Sequence, residues 1–149
     1  MGKRRTGREL ALKVLFQVDL TDVSVDEALD TACEAKRTDQ QTREFARALI
    51  ERTVEHKAEI DDLLIRYTQQ WPLERMANVD RALLRMATGE ILYFPDIPDS
   101  VAVDEAVELA KKYSTAESGR FINGILGSLL RDRPGLTSDK PASPPNKAS

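Results

Sequence analysis

The sequence is poor in the residues that form covalent cross-links and metal sites. Among its 149 residues it has one cysteine, Cys33, and one histidine, His56. A lone cysteine forms no intramolecular disulfide, so we expect Cys33 to be a small buried hydrophobe in a reducing compartment. His56 lies between Glu55 and Lys57, where we expect a solvated helix face rather than a catalytic group. No Cys/His cluster has the spacing of a metal site, and we predict that the chain binds no metal.

Aromatic residues, glycine and proline are also sparse. Aromatics make up 5% of the chain, with 7 glycines and 7 prolines, whereas charged residues make up 32%. This composition favours helices with solvated faces over a sandwich of short strands. The apolar runs are far shorter than the roughly 18 residues that span a bilayer, and the N-terminus is charged rather than apolar. We therefore expect a soluble, unexported, cytoplasmic protein without a membrane segment.

Motifs of catalysis are absent as well. The sequence contains no glycine-rich phosphate loop of the Walker or dinucleotide type, and no nucleophile elbow surrounds any serine. Its many Asp and Glu residues fall on amphipathic helices, where such residues are usually solubilising, and no pair is set apart for acid/base work. The sequence accordingly predicts that the protein is not an enzyme and uses no cofactor.

What the sequence does contain is a series of helix signals. Three segments carry a capping box, in which a hydroxyl accepts from the third helical N–H and a Glu or Gln side chain reaches back. They are Thr6 to Glu9, Ser24 to Glu27 and Thr38 to Gln41. The boxes predict a first helix to about Leu20, a second over 25–36 and a third from near Asp39, with its end near His56 left open.

Apolar residues recur at the helical spacing of three and four along most of the chain. In the first half the expected inward positions are Leu10, Ala11, Val14, Leu15 and Val18, then Phe45, Leu49, Ile50 and Val54, then Ile60, Leu63, Leu64 and Tyr67. In the second half they are Val79, Ala82, Leu83, Met86, Ala87, Ile91 and Phe94, then Val103, Ala106, Val107, Ala110 and Tyr113, then Phe121, Ile122, Ile125, Leu126, Leu129 and Leu130. Every strongly periodic segment is helical, which predicts an all-α fold.

The Trp71-Pro72 pair is the candidate boundary between two subdomains, because proline lacks the N–H and restricts the residue before it. Beyond it, Asn78, Ser100 and Ser114 are the expected starts of further helices. We predict an N-terminal helical subdomain over 1–70 and a C-terminal one over 71–133, packed as two three-helix-type bundles. Residues 134–149 are rich in Pro, Ser and Lys with little to bury, which predicts a disordered tail.

Positive charge is concentrated at the N-terminus, although the formal net charge of the chain is −3. The first eight residues contain no anion and four cations, Lys3, Arg4, Arg5 and Arg8. Projected at about 100° per residue, the first helix aligns Arg5, Arg8, Leu12 and Phe16 on a side that we expect to face away from the core. Guanidinium groups there would pair with phosphates, and an exposed aromatic would stack on an unpaired base. The spacing equally supports a frayed basic terminus with Phe16 buried against a neighbouring helix.

Glycines in and before the last predicted helix need a physical reason, because glycine weakens a helix by up to about 1 kcal/mol relative to alanine. We expect Gly124 and Gly127 to let another helix approach closely. Gly119, next to Arg120, would leave space for the backbone of a ligand.

Four blocks of the sequence together resemble the NusB family of transcription antitermination proteins. They are RRTGRELALKVLFQ at the start, VDRALLRMATGEI at 79–91, VDEAVELAKKY at 103–113 and ESGRFINGIL at 117–126. The resemblance spans residues 4 to about 131, in the family's order and spacing. It implies two packed helical bundles with a basic N-terminus that binds single-stranded boxA RNA. It also implies a heterodimer with NusE, a small-subunit ribosomal protein, in the RNA polymerase antitermination complex.

The resemblance also implies roles for particular residues. By position it assigns RNA contacts to Arg4, Arg5, Arg8, Phe16, Glu117, Arg120 and Phe121. It assigns the acidic position that faces the protein partner to Asp80. The chain departs from the family's usual pattern at Phe16 and Gly89, where tyrosine is common, and at Asp104, where asparagine is usual.

Two further functions stay open beside this one. The same helical domain occurs fused to ribosomal-RNA cytosine methyltransferases, but after residue 133 we expect no room for a methyl-donor-binding domain and hence no methyltransferase activity. The other alternative is a helical adaptor that binds only proteins, with the basic N-terminus as a solvated tail.

Overall fold

A computed structural model describes residues 2–68 and 71–132 of the chain. Those residues form seven α-helices, one short 3₁₀-helix (Leu73–Arg75) and no β-strand, which confirms the predicted all-α class. The α-helices are α1 (Lys3–Leu20), α2 (Val25–Lys36), α3 (Gln40–Glu55), α4 (Lys57–Ile65), α5 (Asn78–Tyr93), α6 (Asp99–Tyr113) and α7 (Ala116–Arg131). The predicted tail at 134–149 lies outside the described residues.

One continuous hydrophobic core runs through both halves of the chain. α1 packs against α2, α3 and α5, and α5 also packs against α3, α4, α6 and α7. The predicted stripe of α1 is buried at Leu10, Ala11, Val14 and Leu15 because the helical period places these positions on one side. The division into 1–70 and 71–133 stays a prediction, since the core of α1 and α3 continues into α5 without a break.

Single residues test the predicted pattern of burial. Cys33 is buried, as predicted. Val54 on α3 and Phe121 on α7 are exposed although the pattern placed both inward. His56 does not stand on an open helix face, because α3 ends there and the imidazole stacks on Tyr93 of α5 with ring centroids 4.0 Å apart. Within the described ranges, no helix is both long enough and apolar enough to cross a membrane.

The capping boxes identify some helix starts and miss others. Ser24 caps α2 as predicted, and its hydroxyl accepts from the N–H of Glu27 at 3.1 Å. The predicted cap at Thr6 is wrong, because α1 already begins at Lys3 with Gly2 as its N-cap. Thr6 therefore lies inside the helix.

Two other caps are displaced by one residue for a common reason. Thr38 and Ser114, the predicted caps of α3 and α7, each still donate a backbone N–H to the preceding helix. The next residue caps instead, Asp39 for α3 and Thr115 for α7. Their side chains accept from the N–H three residues further along, at 2.8 Å and 2.9 Å respectively.

The remaining two predicted starts are also slightly misplaced. Asn78 is the first residue of α5 rather than its cap, and its side-chain oxygen accepts from the guanidinium of Arg81. α6 begins at Asp99, directly after Pro98, and Ser100 lies inside it. Proline is suited to the start of a helix because the N–H groups there have no acceptor within the helix. The missing N–H of proline therefore costs no helical hydrogen bond.

Glycine marks two places where helix backbones approach closely. A Cβ on Gly7 of α1 would lie 2.8 Å from Cδ2 of Phe45 on α3. A Cβ on Gly89 of α5 would lie 3.1 Å from Oγ1 of Thr53, also on α3. A larger residue at Gly89, such as the tyrosine that the resemblance implies, would collide with α3 unless the packing changed.

The glycines of α7 behave differently from the prediction. Gly124 has open space where a Cβ would be, and Gly127 has no atom closer to that position than 3.8 Å. The expected close packing of a helix at these two positions is therefore wrong. Gly119 is buried, and a Cβ there would lie 3.2 Å from the side chain of Lys111 on α6, which leaves no space for a ligand backbone.

Candidate nucleic-acid interface

The first turns of α1 carry a group of cations that we call the N-terminal basic cluster. Its members are Lys3, Arg4, Arg5 and Arg8. The first turn of α1 has no acidic residue, so the cations stand at the end of the helix dipole that disfavours them. Each cation is paired with a carboxylate from a later part of the chain, and the pairs differ in how far they are buried.

Arg8 is the buried member of the cluster. Its Nε donates to both carboxylate oxygens of Glu90 on α5 at 3.0 Å, and its Nη2 donates to Oε2 as well. The exposed fractions of the two side chains are 4% and 1%. The expectation that Arg8 and Leu12 face away from the core is therefore wrong, since both residues are buried. Arg8 can be buried because Glu90 of α5, which is buried beside it, supplies a carboxylate that compensates its charge.

Arg5 forms a pair of the same chemistry at the surface. Its Nε and Nη2 donate to the two carboxylate oxygens of Glu105 on α6, at 3.0 Å and 2.7 Å. The exposed fractions are 53% for Arg5 and 15% for Glu105. The hydrogen bond and the opposite charge raise the pKa of Arg5 and hold the pKa of Glu105 below its ordinary value. More than half of the arginine side chain is accessible to an anionic ligand.

Arg4 and Lys3 complete the exposed part of the cluster. Nη2 of Arg4 donates to Oδ2 of Asp96, in the loop between α5 and α6, at 3.0 Å. Nζ of Lys3 donates to Oε1 of Gln41 at 2.5 Å and lies 3.3 Å from Oδ2 of Asp39. All of these side chains are exposed, so water or a ligand reaches both partners of each pair.

Phe16 lies further along α1 and is half-buried. It lines an apolar surface groove of ≈ 440 Å³ together with Leu12, Lys13, Gln17, Leu20, Thr21, Val79 and Tyr113. Leu20 is exposed in the same groove. The ring is therefore neither fully solvated nor part of the closed core. Its partial burial fits neither the prediction of an exposed stacking ring nor that of a ring buried against a neighbouring helix in full.

Asp80, the predicted partner-facing residue, lies in the first turn of α5 and is only 8% exposed. Its Oδ2 accepts from Oγ of Ser118 on α7 at 3.0 Å. Its Oδ1 is buried without a hydrogen-bond partner among the described residues. A buried carboxylate oxygen without a donor is uncommon and needs an explanation.

Glu117, Arg120 and Phe121 are exposed on the first turns of α7. Arg120 and Phe121 line a shallow cavity of ≈ 350 Å³ with Tyr67, Thr68, Gly124, Ile125 and Ser128. The open space beside Gly124, which the close-packing prediction missed, forms part of this cavity.

The sequence-predicted residues thus fall into three groups: the N-terminal basic cluster, Phe16 with its groove, and the residues at the starts of α5 and α7. The basic cluster lies at the start of α1, and Phe16 lies towards its end, in the groove to which the start of α5 contributes Val79. The hydrogen bond between Asp80 and Ser118 ties the start of α5 to the start of α7, where Glu117 and Arg120 are found.

Sequence reasoning missed the carboxylates that hold the basic cluster. Glu90, Asp96 and Glu105 were grouped with the solubilising residues, yet each binds one arginine of α1. A signal existed for Glu90, because it lies three and four residues beyond Ala87 and Met86 on the buried stripe of α5. A carboxylate on a buried stripe requires a cation or donors. No comparable signal marks Glu105 or Asp96.

A model of the NusB family matches residues 5–131 of the chain. The chain belongs to the NusB family. It is 50% identical over 140 residues to the transcription antitermination protein NusB of Symbiobacterium thermophilum, a match that covers 89% of this chain and 92% of that protein. It is 41% identical over 130 residues to the protein of the same name from Bacillus subtilis, covering 87% of this chain and 96% of the relative.

Solved structures agree with the family in fold. T. maritima NusB has a TM-score of 0.81 to this chain at 40% sequence identity, over 87% of this chain and 91% of that one. A structure of the antitermination factors NusB and NusE in complex with double-stranded RNA gives a TM-score of 0.79 at 27% identity, over 87% of this chain and 96% of that chain. The helical fold of the family is thus present here.

Proposed function

We propose that the protein is an RNA-binding transcription antitermination factor that binds boxA-type single-stranded RNA together with NusE and supports ribosomal RNA transcription. The observation that carries this proposal is family membership over residues 5–131, with a relative named as a transcription antitermination protein at 50% identity. Likeness to a solved assembly of NusB and NusE with double-stranded RNA supports NusE and RNA as classes of partner, and the single-stranded form of the RNA rests on the family resemblance. In this proposal the protein acts in the cytoplasm, within the RNA polymerase antitermination complex, and is not an enzyme.

Arg4 and Arg5 are the proposed phosphate contacts. Both guanidinium groups are exposed, and each is already held by a carboxylate, Asp96 or Glu105. A phosphate offers a guanidinium the same bidentate hydrogen bonding as a carboxylate, so it can compete with the carboxylate or bind the donors that the carboxylate leaves free. The cost of gathering positive charge at the start of α1 is offset when the anionic ligand binds.

Arg8 takes a different part in this proposal. Its side chain is saturated by Glu90 and almost entirely buried, so an incoming phosphate would have to break an ion pair inside the core. Breaking such a pair leaves an uncompensated buried charge, which costs about 3–5 kcal/mol. We therefore assign Arg8 to holding the start of α1 in place rather than to touching RNA.

Phe16 and the exposed residues of α7 are the proposed contacts for bases. Phe16 and Phe121 are aromatic rings within reach of solvent, and a base stacks on such a ring with little dependence on sequence. Arg120 provides a cation beside Phe121, and Glu117 provides an acceptor for exocyclic amino groups. These assignments rest on the family position and on exposure.

Titration of labelled boxA-type RNA, with and without NusE, tests the proposed function. We expect binding to the protein alone and tighter binding when NusE is present. A scrambled RNA of equal length and the same boxA strand annealed into a duplex are the controls. Equal affinity for boxA and scrambled RNA, or no effect of NusE, would contradict the proposal.

Asp80 is the proposed contact for NusE. Asp80 is 8% exposed and its Oδ1 is buried without a hydrogen-bond partner among the described residues, so a donor from NusE reaches this oxygen only if the packing at the start of α5 opens. We expect Asp80→Lys to cost several kcal/mol of NusE association, as expected for a reversed charge at an interface. Asp80→Asn is the matched variant, because it retains the shape of the side chain and the hydrogen bond from Ser118. Calorimetry measures NusE association of each variant, and a melting curve shows whether the variant is still folded. Wild-type affinity of Asp80→Lys for NusE would remove Asp80 from the interface.

A protein-binding adaptor without RNA binding is the second candidate function. The observation behind it is the apolar groove around Phe16 with Leu20 exposed in it, because an exposed apolar patch commonly marks a protein-binding surface. NusE association without any RNA binding in the titration above would support this candidate over the first.

A further inference from the structure

One aromatic ring of α3 lies against two cations of the N-terminal basic cluster. The guanidinium carbon of Arg4 is 5.3 Å from the centroid of the Phe45 ring, and that of Arg8 is 5.4 Å from the same centroid. Both distances are within the range in which a cation is attracted by the face of an aromatic ring. Arg4 and Arg8 are one helical turn apart on α1, so a single ring serves both.

The ring itself is held firmly in place. Phe94, which follows α5, meets Phe45 edge to face, with ring centroids 6.1 Å apart and planes inclined by 74°. Gly7 of α1 also lies against the ring, and its missing side chain allows the contact, because a Cβ there would be 2.8 Å from Cδ2 of Phe45. The start of α1 therefore contacts Phe45 at Gly7, which lies between Arg4 and Arg8 and has no side chain.

The two arginines on this ring differ in what they offer to a ligand. Arg8 is buried and saturated by Glu90, and it fixes the depth of α1 against α5. Arg4 is exposed, and its only carboxylate partner among the described residues is the equally exposed Asp96. The ring thus lies 5.3 Å from a guanidinium whose side chain is still 52% exposed.

We infer that Phe45 is a positioning residue for RNA recognition, which holds Arg4 in a phosphate-binding orientation before RNA arrives. The inference rests on the proposed function. A long arginine side chain loses rotamer freedom when it binds, and a side chain that is already ordered loses less. Arg5 contacts Glu105 and not Phe45, so it provides an internal comparison.

Phe45→Leu removes the aromatic face and retains an apolar side chain, while Phe45→Tyr retains the face. With boxA-type RNA and NusE, we expect Phe45→Leu to bind about 2- to 5-fold more weakly, the effect of losing one exposed cation–π contact. Phe45→Tyr should bind like the wild type. Melting curves of both variants show whether the fold is retained.

A double-mutant cycle distinguishes positioning from a general loss of structure. The effect of Phe45→Leu on RNA affinity should disappear in an Arg4→Gln background and persist in an Arg5→Gln background. An equal effect in both backgrounds would mean that Phe45 acts through the fold as a whole, and this would overturn the inference.

A second measurement needs no RNA. Side-chain ¹⁵N relaxation should show that Phe45→Leu makes the Nε–H of Arg4 more mobile and leaves that of Arg5 unchanged. Unchanged mobility of Arg4 overturns the inference. If the wild type binds no RNA, the proposed function fails and the inference falls with it, whereas RNA binding that Phe45→Leu leaves unchanged overturns the inference alone.

Discussion

Arg5 and Arg8 stand three residues apart on α1, and each donates two or more hydrogen bonds to a glutamate of the second half of the chain. The pairs are chemically alike but differ in depth, since Arg5 is 53% exposed and Arg8 is 4% exposed. We call them the outer pair (Arg5–Glu105) and the inner pair (Arg8–Glu90). Burial decides the difference between them, because removing one partner of a buried pair leaves a charge that water cannot solvate.

One face of α1 thus serves two purposes along its length. Going along that face from Arg5 through Arg8 and Leu12 to Phe16, the side chains are exposed, buried, buried and half-buried. The middle of the face holds α1 in the protein, and its two ends are accessible from solvent.

Breaking the inner pair should have the largest effect. Glu90→Gln leaves the Arg8 guanidinium buried with a neutral partner, and we expect a loss of about 3–5 kcal/mol in the free energy of unfolding. Glu105→Gln in the outer pair is the matched control and should cost only a small fraction of this. Urea denaturation with an unchanged m-value measures both. Equal losses in the two variants would show that depth does not separate the pairs.

Replacing the inner pair by apolar residues sharpens the same test. If the cost of Glu90→Gln comes from the unpaired charge, then Arg8→Met combined with Glu90→Leu should recover most of the lost stability. Failure to recover would mean that the ion pair supplies specific geometry that packing cannot replace.

Truncating Phe16 tests the far end of the face. Phe16→Ala should weaken RNA binding by about 1–3 kcal/mol if the ring stacks on a base, with a small change in melting temperature. Leu20→Ala, in the same groove, is the control and should leave RNA affinity unchanged. A loss of about 3–5 kcal/mol of stability with wild-type RNA affinity would instead place Phe16 in the core.

Removing the exposed arginines tests the near end. Each phosphate contact on a single strand adds about 0.7 to the slope of log affinity against log salt concentration, so Arg4→Gln with Arg5→Gln should flatten the slope by about 1.4. Arg8 is left intact because its removal would leave Glu90 buried and unpaired. Arg52→Gln removes an exposed cation from the far end of α3 and should leave the slope unchanged. A wild-type slope in the double variant would exclude both arginines as phosphate contacts.

Acid should weaken the outer pair, with the smallest effect of the series. The pKa of Glu105 is held below its ordinary value by the hydrogen bond from Arg5, so the folded protein binds this proton less readily than the unfolded chain. The pair therefore contributes stability above the ordinary pKa of glutamate, about 4.3, and loses it as the pH falls through the lower folded pKa. The stability difference between wild type and Glu105→Gln should be constant near neutral pH and disappear in acid. Glu34→Gln, at an exposed position of α2, is the control and should show no such pH dependence.

The sequence by itself determined which segments are helical and most of the apolar stripe that each helix buries. Leu10, Ala11, Val14 and Leu15 are buried because the helical period is a local property that residues three and four apart share. The start of α2 at Ser24 is local for the same reason, since a cap needs only the N–H groups of its own helix. The family blocks extended this to the fold, because they fix the order and spacing of the helices.

Only the tertiary structure decided which arginine of α1 is buried. Arg5 and Arg8 look alike in the sequence, and the residues that distinguish them, Glu105 and Glu90, lie on α6 and α5, far along the chain. The same is true of Gly7, which is required by Phe45 on another helix. Helix periodicity decides on which side of its helix a residue lies. Charge pairing and close approach depend on which residue a different helix places next to it.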